Sequence, residues 1–470
     1  MTTRREWLFR HAAGFGGLAL GGLLGCNRGP GTSSLQALSQ LAGPASKEPR
    51  ARSVIFLYMD GGPSQMDTFD PKPRLDREHG QPIKMKTPAT NFNIGNSVMK
   101  SPFKFRKHGE CGADVSSLFP HVAECVDHMT IIRSMVSDHG EHGAASYFMH
   151  TGHPIQGRPS MGAWAAYGLG TECAELPGFV VLQCGMFPFG GMPCFSNGFL
   201  PAKFRGSVLR ATGQPLPDLA PREADPQLQA NKRALLNQLN QQAPAQIATA
   251  PELEQVIQNY ELAFHMQAAV PQLVDLSAET ADTLSLYGID EKPTALFGTE
   301  CLMARKLVEQ GVRFIELLPP KIPETNHWDQ HSFLATGHRD NALAVDKPIA
   351  GLLKDLHARG LLDQTLVLWG GEFGRTPMAQ SQPRFTDGRD HNPFGFTMWL
   401  AGGGVKGGLV YGSTDEYGYY AQDNPVHVHD LHATILHLMG VDHTELTYRH
   451  GGRDYRLTDV YGEIVRDILA

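Results

Sequence analysis

The feature that most restricts the fold is a repeated unit, in which a short unbroken apolar run stops at glycine or a carboxylate and gives way to a segment with helical periodicity. Its first instance, Val54-Ile55-Phe56-Leu57-Tyr58-Met59, ends on Asp60-Gly61-Gly62-Pro63. A run that is apolar at every position has no face to offer water, so it fits a strand covered on both sides, and Gly-Gly-Pro turns the chain sharply at its end. Comparable runs stand at 130–133, 179–182, 312–318, 365–369 and 396–401, with helical patterns between several of them, as at 299–310 and 348–359. Strand and helix in alternation predict an α/β fold, a doubly wound and mostly parallel sheet with helices on both faces.

The flanks of this body have a different character. Residues 1–26 place Arg4-Arg5 before an apolar stretch at 12–24 that is shorter than the roughly 20 residues a membrane helix needs, which reads as a twin-arginine export signal and makes the translocase a partner during export. Leu23-Leu24-Gly25-Cys26 resembles a bacterial lipobox, in which the cysteine carries a lipid anchor; the alternative is that Cys26 lies beside an ordinary cleavage site. The expected location is the periplasm or cell envelope. Residues 27–51, rich in Gly, Ser, Ala and Pro, read as a tether, and 52–470 as the folded body, with a Gln- and Ala-rich helical insertion at about 215–292.

With 41% hydrophobic residues over 470 positions the chain can bury a large core, and a net charge of −7 without a long Lys/Arg run gives no support for nucleic-acid binding, so no nucleic acid is expected as a partner. A small anionic substrate would then need local positive charge, such as a metal. The body has six cysteines and no CxxC pair, so disulfides are permitted after export whereas a cysteine-rich zinc ribbon is not expected. The 21 histidines gather at 128–153, 327–338 and 427–450, a distribution that suggests convergence in space.

Ligands of open α/β sheets collect beyond the carboxyl ends of the strands. Asp60 directly follows the first run, Glu372 follows the run at 365–369, and Asp329 and His331 lie shortly beyond Ile315-Glu316-Leu317-Leu318. Carboxylate and imidazole together suit a divalent metal, zinc first as histidines accumulate, with calcium or manganese as alternatives.

Further motifs resemble a known family. Asp60-Gly61-Gly62-Pro63-Ser64-Gln65-Met66-Asp67-Thr68-Phe69-Asp70-Pro71, His327-Trp328-Asp329-Gln330-His331, Gly371-Glu372-Phe373-Gly374-Arg375-Thr376-Pro377 and Gly388-Arg389-Asp390-His391-Asn392-Pro393 are similar to an exported bacterial domain of unknown function numbered fifteen-oh-one, from about Arg52 to Asp459. The resemblance extends to the alkaline phosphatase and sulfatase superfamily, and implies that fold and a metal centre hydrolysing phosphate or sulfate esters.

By this resemblance Asp60 matches the first-strand metal aspartate, Asp329 and His331 the later Asp/His pair with compressed spacing, and His391 the late metal histidine. Glu372 stands where the superfamily has Asp followed by His, and Phe373 replaces that histidine. Counting back from Tyr147-Phe148-Met149-His150-Thr151-Gly152, which resembles a sulfatase stretch, puts His142 at the nucleophile position, so the modified cysteine is absent. The implied mechanism is metal-activated water, with His142 as ligand or general base and Arg375 either stabilising charge on the substrate oxygens or pairing with Glu372. His139 would assist from a neighbouring helical face. Ser64 reads as a rival nucleophile or a helix cap. His427, His429, His432 and His437 read as packing elements of a C-terminal helix. The substrate expected is a small anionic ester or a sulfated or phosphorylated glycan; the alternative is a metal-binding envelope protein or lipoprotein without hydrolytic activity.

Overall fold

The computed structural model describes residues 48–88, 97–211, 213–216, 225–242, 251–380 and 387–470. The export signal, Cys26 and nearly all of the tether therefore lie outside the described residues. Among the described residues nine strands form the main sheet. At its centre β1 (Ser53–Tyr58) pairs in parallel with β5 (Phe314–Leu318) on one side and β6 (Thr365–Gly370) on the other. Beyond β5 lie β3 (Phe179–Gln183) and β4 (Ser207–Leu209), again parallel. Beyond β6, β9 (Phe396–Ala401) runs antiparallel to both β6 and β2 (Met129–Val136). The short strands β10 (Leu409–Tyr411) and β11 (Val426–His427) add to β2 in parallel. The sheet is mixed and mostly parallel, and each predicted apolar run is one of its strands.

All six β1 side chains are buried, as the unbroken run required. Ile55 and Leu57 join one core with Phe297, Leu302 and Leu307 of α6 (Ala295–Glu309) and Val345, Ile349 and Leu352 of α7 (Leu334–Ala358). Val54 and Phe56 join the other with Phe148 of α2 (His142–Thr151), Trp164 of α3 (Met161–Leu169) and Leu431 of α8 (Val428–Leu438). Helices thus cover both faces, and alternate residues of one strand serve opposite cores because side chains in a strand point to alternate sides.

Several expectations need correction. The helix expected at 348–359 begins at Leu334, and Pro348 lies within it rather than at its start. Ser64 precedes the short α1 (Gln65–Thr68) without capping it, because its hydroxyl donates to the Asp67 carboxylate instead. His139 lies before α2, its ring edge-on to Phe148 at 5.0 Å. The six cysteines of the body are all free thiols. Within the segment 215–292, α4 (Pro226–Gln242) and α5 (Pro251–Val274) are helical, and Met266, Val270 and Leu273 of α5 reach the first core.

The C-terminal histidines hold elements together. His427 caps α8 reciprocally with Asp430, while His429 and His432 bond the carbonyls of Gly152 and Met149 at 2.9 and 2.7 Å, tying α8 to the end of α2.

Candidate metal centre

Three segments meet at the carboxyl edge of the central strands. The turn after β1 packs its backbone against the loop that delivers Asp329: Trp328 N–H donates to the Asp60 carbonyl at 3.0 Å. Gly61 allows this approach, since its φ is +104° and a Cβ there would meet Asp329 N at 2.7 Å. On the opposing loop Glu324, His327 and Phe333 all have positive φ. Non-glycine residues in that region cost of order 1–3 kcal/mol each, so the surrounding contacts must hold this loop in a shape its own backbone resists.

Asp329 Oδ1 is the focus of the site. Arg375 Nη2 lies 2.7 Å from it, His331 Nε2 2.9 Å, His142 Nε2 3.2 Å and His391 Nε2 3.4 Å. Each imidazole is anchored through its other nitrogen. His142 Nδ1 donates to Glu372 Oε1 at 2.6 Å, His391 Nδ1 to the Gly140 carbonyl at 2.7 Å, and His331 Nδ1 to Gln380 Oε1. With Nδ1 used in this way, each ring in its neutral form would turn an Nε2 lone pair toward the cluster. His331 Nε2 and His391 Nε2 are hydrogen-bonded at 2.9 Å, and the buried His142 Nε2 makes no aligned hydrogen bond despite its approach to Asp329.

The donor set fits a metal. His142, Asp329, His331 and His391 each offer one ligand atom, all within 4.8 Å of one another. Metal–ligand distances of about 2.0–2.1 Å in a tetrahedron put ligands about 3.3 Å apart, close to the 2.9–3.4 Å spacings measured here. Three imidazoles and one carboxylate suit zinc among the divalent ions. A side-chain oxygen or carbonyl oriented each ring, as is usual for metal-binding histidines.

The charges around this cluster are mutually stabilised. Burial alone would raise the Asp329 carboxyl, but Arg375 and the neighbouring imidazoles hold it far below the usual carboxylate range. Burial acts to lower His142, yet Asp329 and Glu372 outweigh it and push the imidazole up to about 9. Burial also lowers His391, reinforced by the Arg375 charge. Glu372, pushed upward by burial, is held below its ordinary value chiefly by His142.

The residues expected in the site divide into layers. Asp329, His331 and His391 share the cluster, and His142 joins them with Nδ1 held by Glu372 and Nε2 turned toward Asp329, which suits a ligand. Glu372 stands behind His142: its oxygens accept from His142, from the Gly61 N–H at 3.0 Å and from the Tyr58 hydroxyl at 3.0 Å. Asp60 lies on the other side of Gly61, with Oδ2 2.9 Å from His327 Nδ1 and Oδ1 accepting from Phe189 N–H at 3.3 Å. Burial raises Asp60, with His327 opposing.

Arg375 differs most from expectation. It is fully buried, pairs with Asp329 rather than Glu372, and also donates to the carbonyls of Gly61, Gly62 and Arg389, so that each of its three nitrogens is engaged. Its place is to hold Asp329 and the β1 turn, with no donor facing solvent for a substrate. Ser64, fully buried and bonded to Asp67, is not presented as a nucleophile.

His327, Tyr58 and Phe189 were not singled out from the sequence. The spacing of His327, Asp329 and His331 at alternate positions is the available signal for His327. Tyr58 and Phe189 reach the site only through contacts distant in sequence.

A family model described as "Protein of unknown function (DUF1501)" matches residues 51–469. No curated protein matches the sequence. Among solved structures the chain is similar to the PsFucS1 sulfatase from Pseudoalteromonas sp., at 14% identity over 90% of this chain and 76% of that one, with a TM-score of 0.36. It is similar to alkaline phosphatase from the Antarctic bacterium TAB5, at 11% identity over 84% and 99%, with a TM-score of 0.35. The lipoteichoic acid synthase LtaP from Listeria monocytogenes is similar at 9% identity over 88% and 76%, with a TM-score of 0.35.

Proposed function

This chain belongs to the DUF1501 family, and from that premise we propose that it is a metal-dependent hydrolase of sulfate or phosphate esters, exported to the cell envelope by the twin-arginine route and held there by lipid on Cys26. The observation that carries the reading is the convergence of three anchored imidazoles on Asp329, with their Nε2 atoms directed at one point. His142, Asp329, His331 and His391 would hold the metal, zinc before manganese or calcium. When bound it would activate water and polarise the ester oxygen.

The chain's own residues prepare that chemistry. Arg375 keeps Asp329 ionised and fixed, while Glu372 orients His142 and, as a carboxylate, raises its basicity. Asp60 and His327 form a second carboxylate–imidazole pair beside the cluster. Asp60 Oδ2 is buried and makes no aligned hydrogen bond, so this pair is the place for a further cation or for the proton of attacking water. The partly exposed His331 and His391 form the side from which a small anionic ester, free or on a glycan, would enter.

A second reading, a metal-binding envelope protein without hydrolytic activity, is favoured by one observation: four protein ligands close a tetrahedral site, whereas a catalytic one keeps a position open. Hydrolysis by the zinc-reconstituted chain of a panel of sulfate and phosphate esters separates the two. Turnover that disappears with chelator and in Asp329→Ala supports the hydrolase. Stoichiometric zinc without turnover on any ester supports the second reading.

A further inference from the structure

After β3 the chain leaves the carboxyl edge of the sheet as Met186-Phe187-Pro188-Phe189, and Met186, Phe187 and Phe189 are 36%, 37% and 44% exposed. Single exposed apolar side chains are ordinary on a protein surface. These three are grouped, and the last of them ends on the metal cluster. The Phe189 ring is stacked on the His142 imidazole, with centroids 4.1 Å apart and planes 19° apart, and lies 5.6 Å from the His327 ring.

The loop is held in this position. Phe189 N–H donates to Asp60 Oδ1, and Pro188 and Gly190 on either side are buried. A Cβ on Gly190 would meet Cys194 Sγ at 2.5 Å, so the loop approaches the core too closely for any other residue there. One side of the Phe189 ring is therefore occupied by His142, and a large part of the remainder is open to solvent. A site that received only a small inorganic anion would gain nothing from such a surface.

We infer that Phe189 is the platform for the organic part of the substrate, and that the ester taken at this centre bears a ring with an apolar face, aryl or pyranosyl, next to its anionic group. This rests on the hydrolase reading and narrows its substrate class. The imidazole cluster takes the charged oxygens. A ring joined through the ester oxygen extends away from the cluster, where Phe189 offers a flat apolar surface for dispersion and ring-face contact. Acyclic esters would leave that surface uncovered.

The test measures dissociation constants by calorimetry for the zinc-loaded full chain with inorganic phosphate, glycerol 3-phosphate, phenyl phosphate and glucose 6-phosphate. Wild type, Phe189→Ala and Phe189→Leu are compared, with zinc content determined for each. A ring-bearing ester is expected to bind about tenfold more tightly than the two ligands without a ring, with the ratio falling to near one in Phe189→Ala and to an intermediate value in Phe189→Leu. Which ring compound shows the gain identifies the ring as aryl or sugar. Equal binding of all four ligands to wild type, or a preference that survives in Phe189→Ala, overturns the platform. So does loss of zinc or of inorganic phosphate binding in both variants, which would make Phe189 a support for His142. Failure of wild type to bind any of the four ligands, together with no turnover of any sulfate or phosphate ester, defeats the hydrolase reading itself, and the platform with it.

Discussion

Replacing Asp329 with asparagine removes a charge while keeping size and a carbonyl oxygen, and the geometry sets what this does to the metal-free protein. Arg375 Nη2 lies 2.7 Å from Asp329 Oδ1. At that distance, with an effective dielectric of about 20, the attraction is about 6 kcal/mol. Desolvation of both partners offsets part of it, and breaking one side of a buried ion pair costs about 3–5 kcal/mol net. Arg375 cannot relieve the loss by turning to water, because it is fully buried and held by the Gly61, Gly62 and Arg389 carbonyls. Denaturant unfolding of the chelator-treated protein at neutral pH should therefore show Asp329→Asn less stable by about 3–5 kcal/mol. Adding Arg375→Met removes the stranded guanidinium and should return at least about 1 kcal/mol, a coupling of the size expected for contacting residues. A loss below about 0.5 kcal/mol, or strict additivity of the two changes, would refute the view that Asp329 is what neutralises this arginine.

Three other outcomes follow from the same kind of reasoning. Burial pushes His432 down to about 3, with its Nε2–H donated to the Met149 carbonyl, so between about 3 and 6.5 the unfolded chain binds more protons than the folded one. The neutral-histidine contribution is complete above about 6.5 and is lost as pH falls to about 3, on the order of 5 kcal/mol; His432→Gln should flatten that acid limb in pH-dependent unfolding, and an unchanged slope would contradict it. The Asp67–Arg389 pair is fully buried at 2.7 Å, and despite burial the Arg389 charge lowers the Asp67 carboxyl. Its stabilisation is present above about 3.8 and is lost as pH falls through the depressed folded value; Asp67→Leu alone should cost about 3–5 kcal/mol and Asp67→Leu with Arg389→Met much less, whereas equal losses would refute the pairing. On the proposal that Cys26 carries lipid, Cys26→Ala should move the protein from the membrane to the soluble fraction on cell fractionation, and retention at the membrane would argue against a lipid anchor there.

Much of the sheet was legible because its central strands are buried on both faces and so appear as unbroken apolar runs. The strands that escaped notice are short and lie at the margins: β4, β10 and β11 have two or three residues each, too few for a pattern. The hairpin of β7 (Gly374–Ala379) and β8 (Arg389–Asn392) was hidden for a different reason, since buried Arg375, Thr376, Arg389 and Asp390 give it the composition of a loop. The first half of α7 was missed because buried His338, Asn341 and Asp346 interrupt its apolar stripe, while Pro348 resembles a helix start. In the site, position after a strand identified Asp60, Glu372, Asp329 and His331 as neighbours, but not their order in depth. That order depends on which oxygen each histidine nitrogen finds, a relation among residues 49 to 251 positions apart. Arg375 shows the limit most clearly: its charge suggested a substrate anion, and only three-dimensional packing reveals that Asp329 and three carbonyls already occupy it.

The metal centre itself is tested most directly by elemental mass spectrometry of the protein purified without chelator, beside a variant carrying Asp329→Ala and His331→Ala. The geometry predicts at least one divalent metal per wild-type chain, zinc foremost, and its loss from the variant while the fold persists by circular dichroism. A wild-type protein that stays metal-free after dialysis against zinc, or a variant that retains the full metal content, would contradict the assignment of His142, Asp329, His331 and His391 as a metal site.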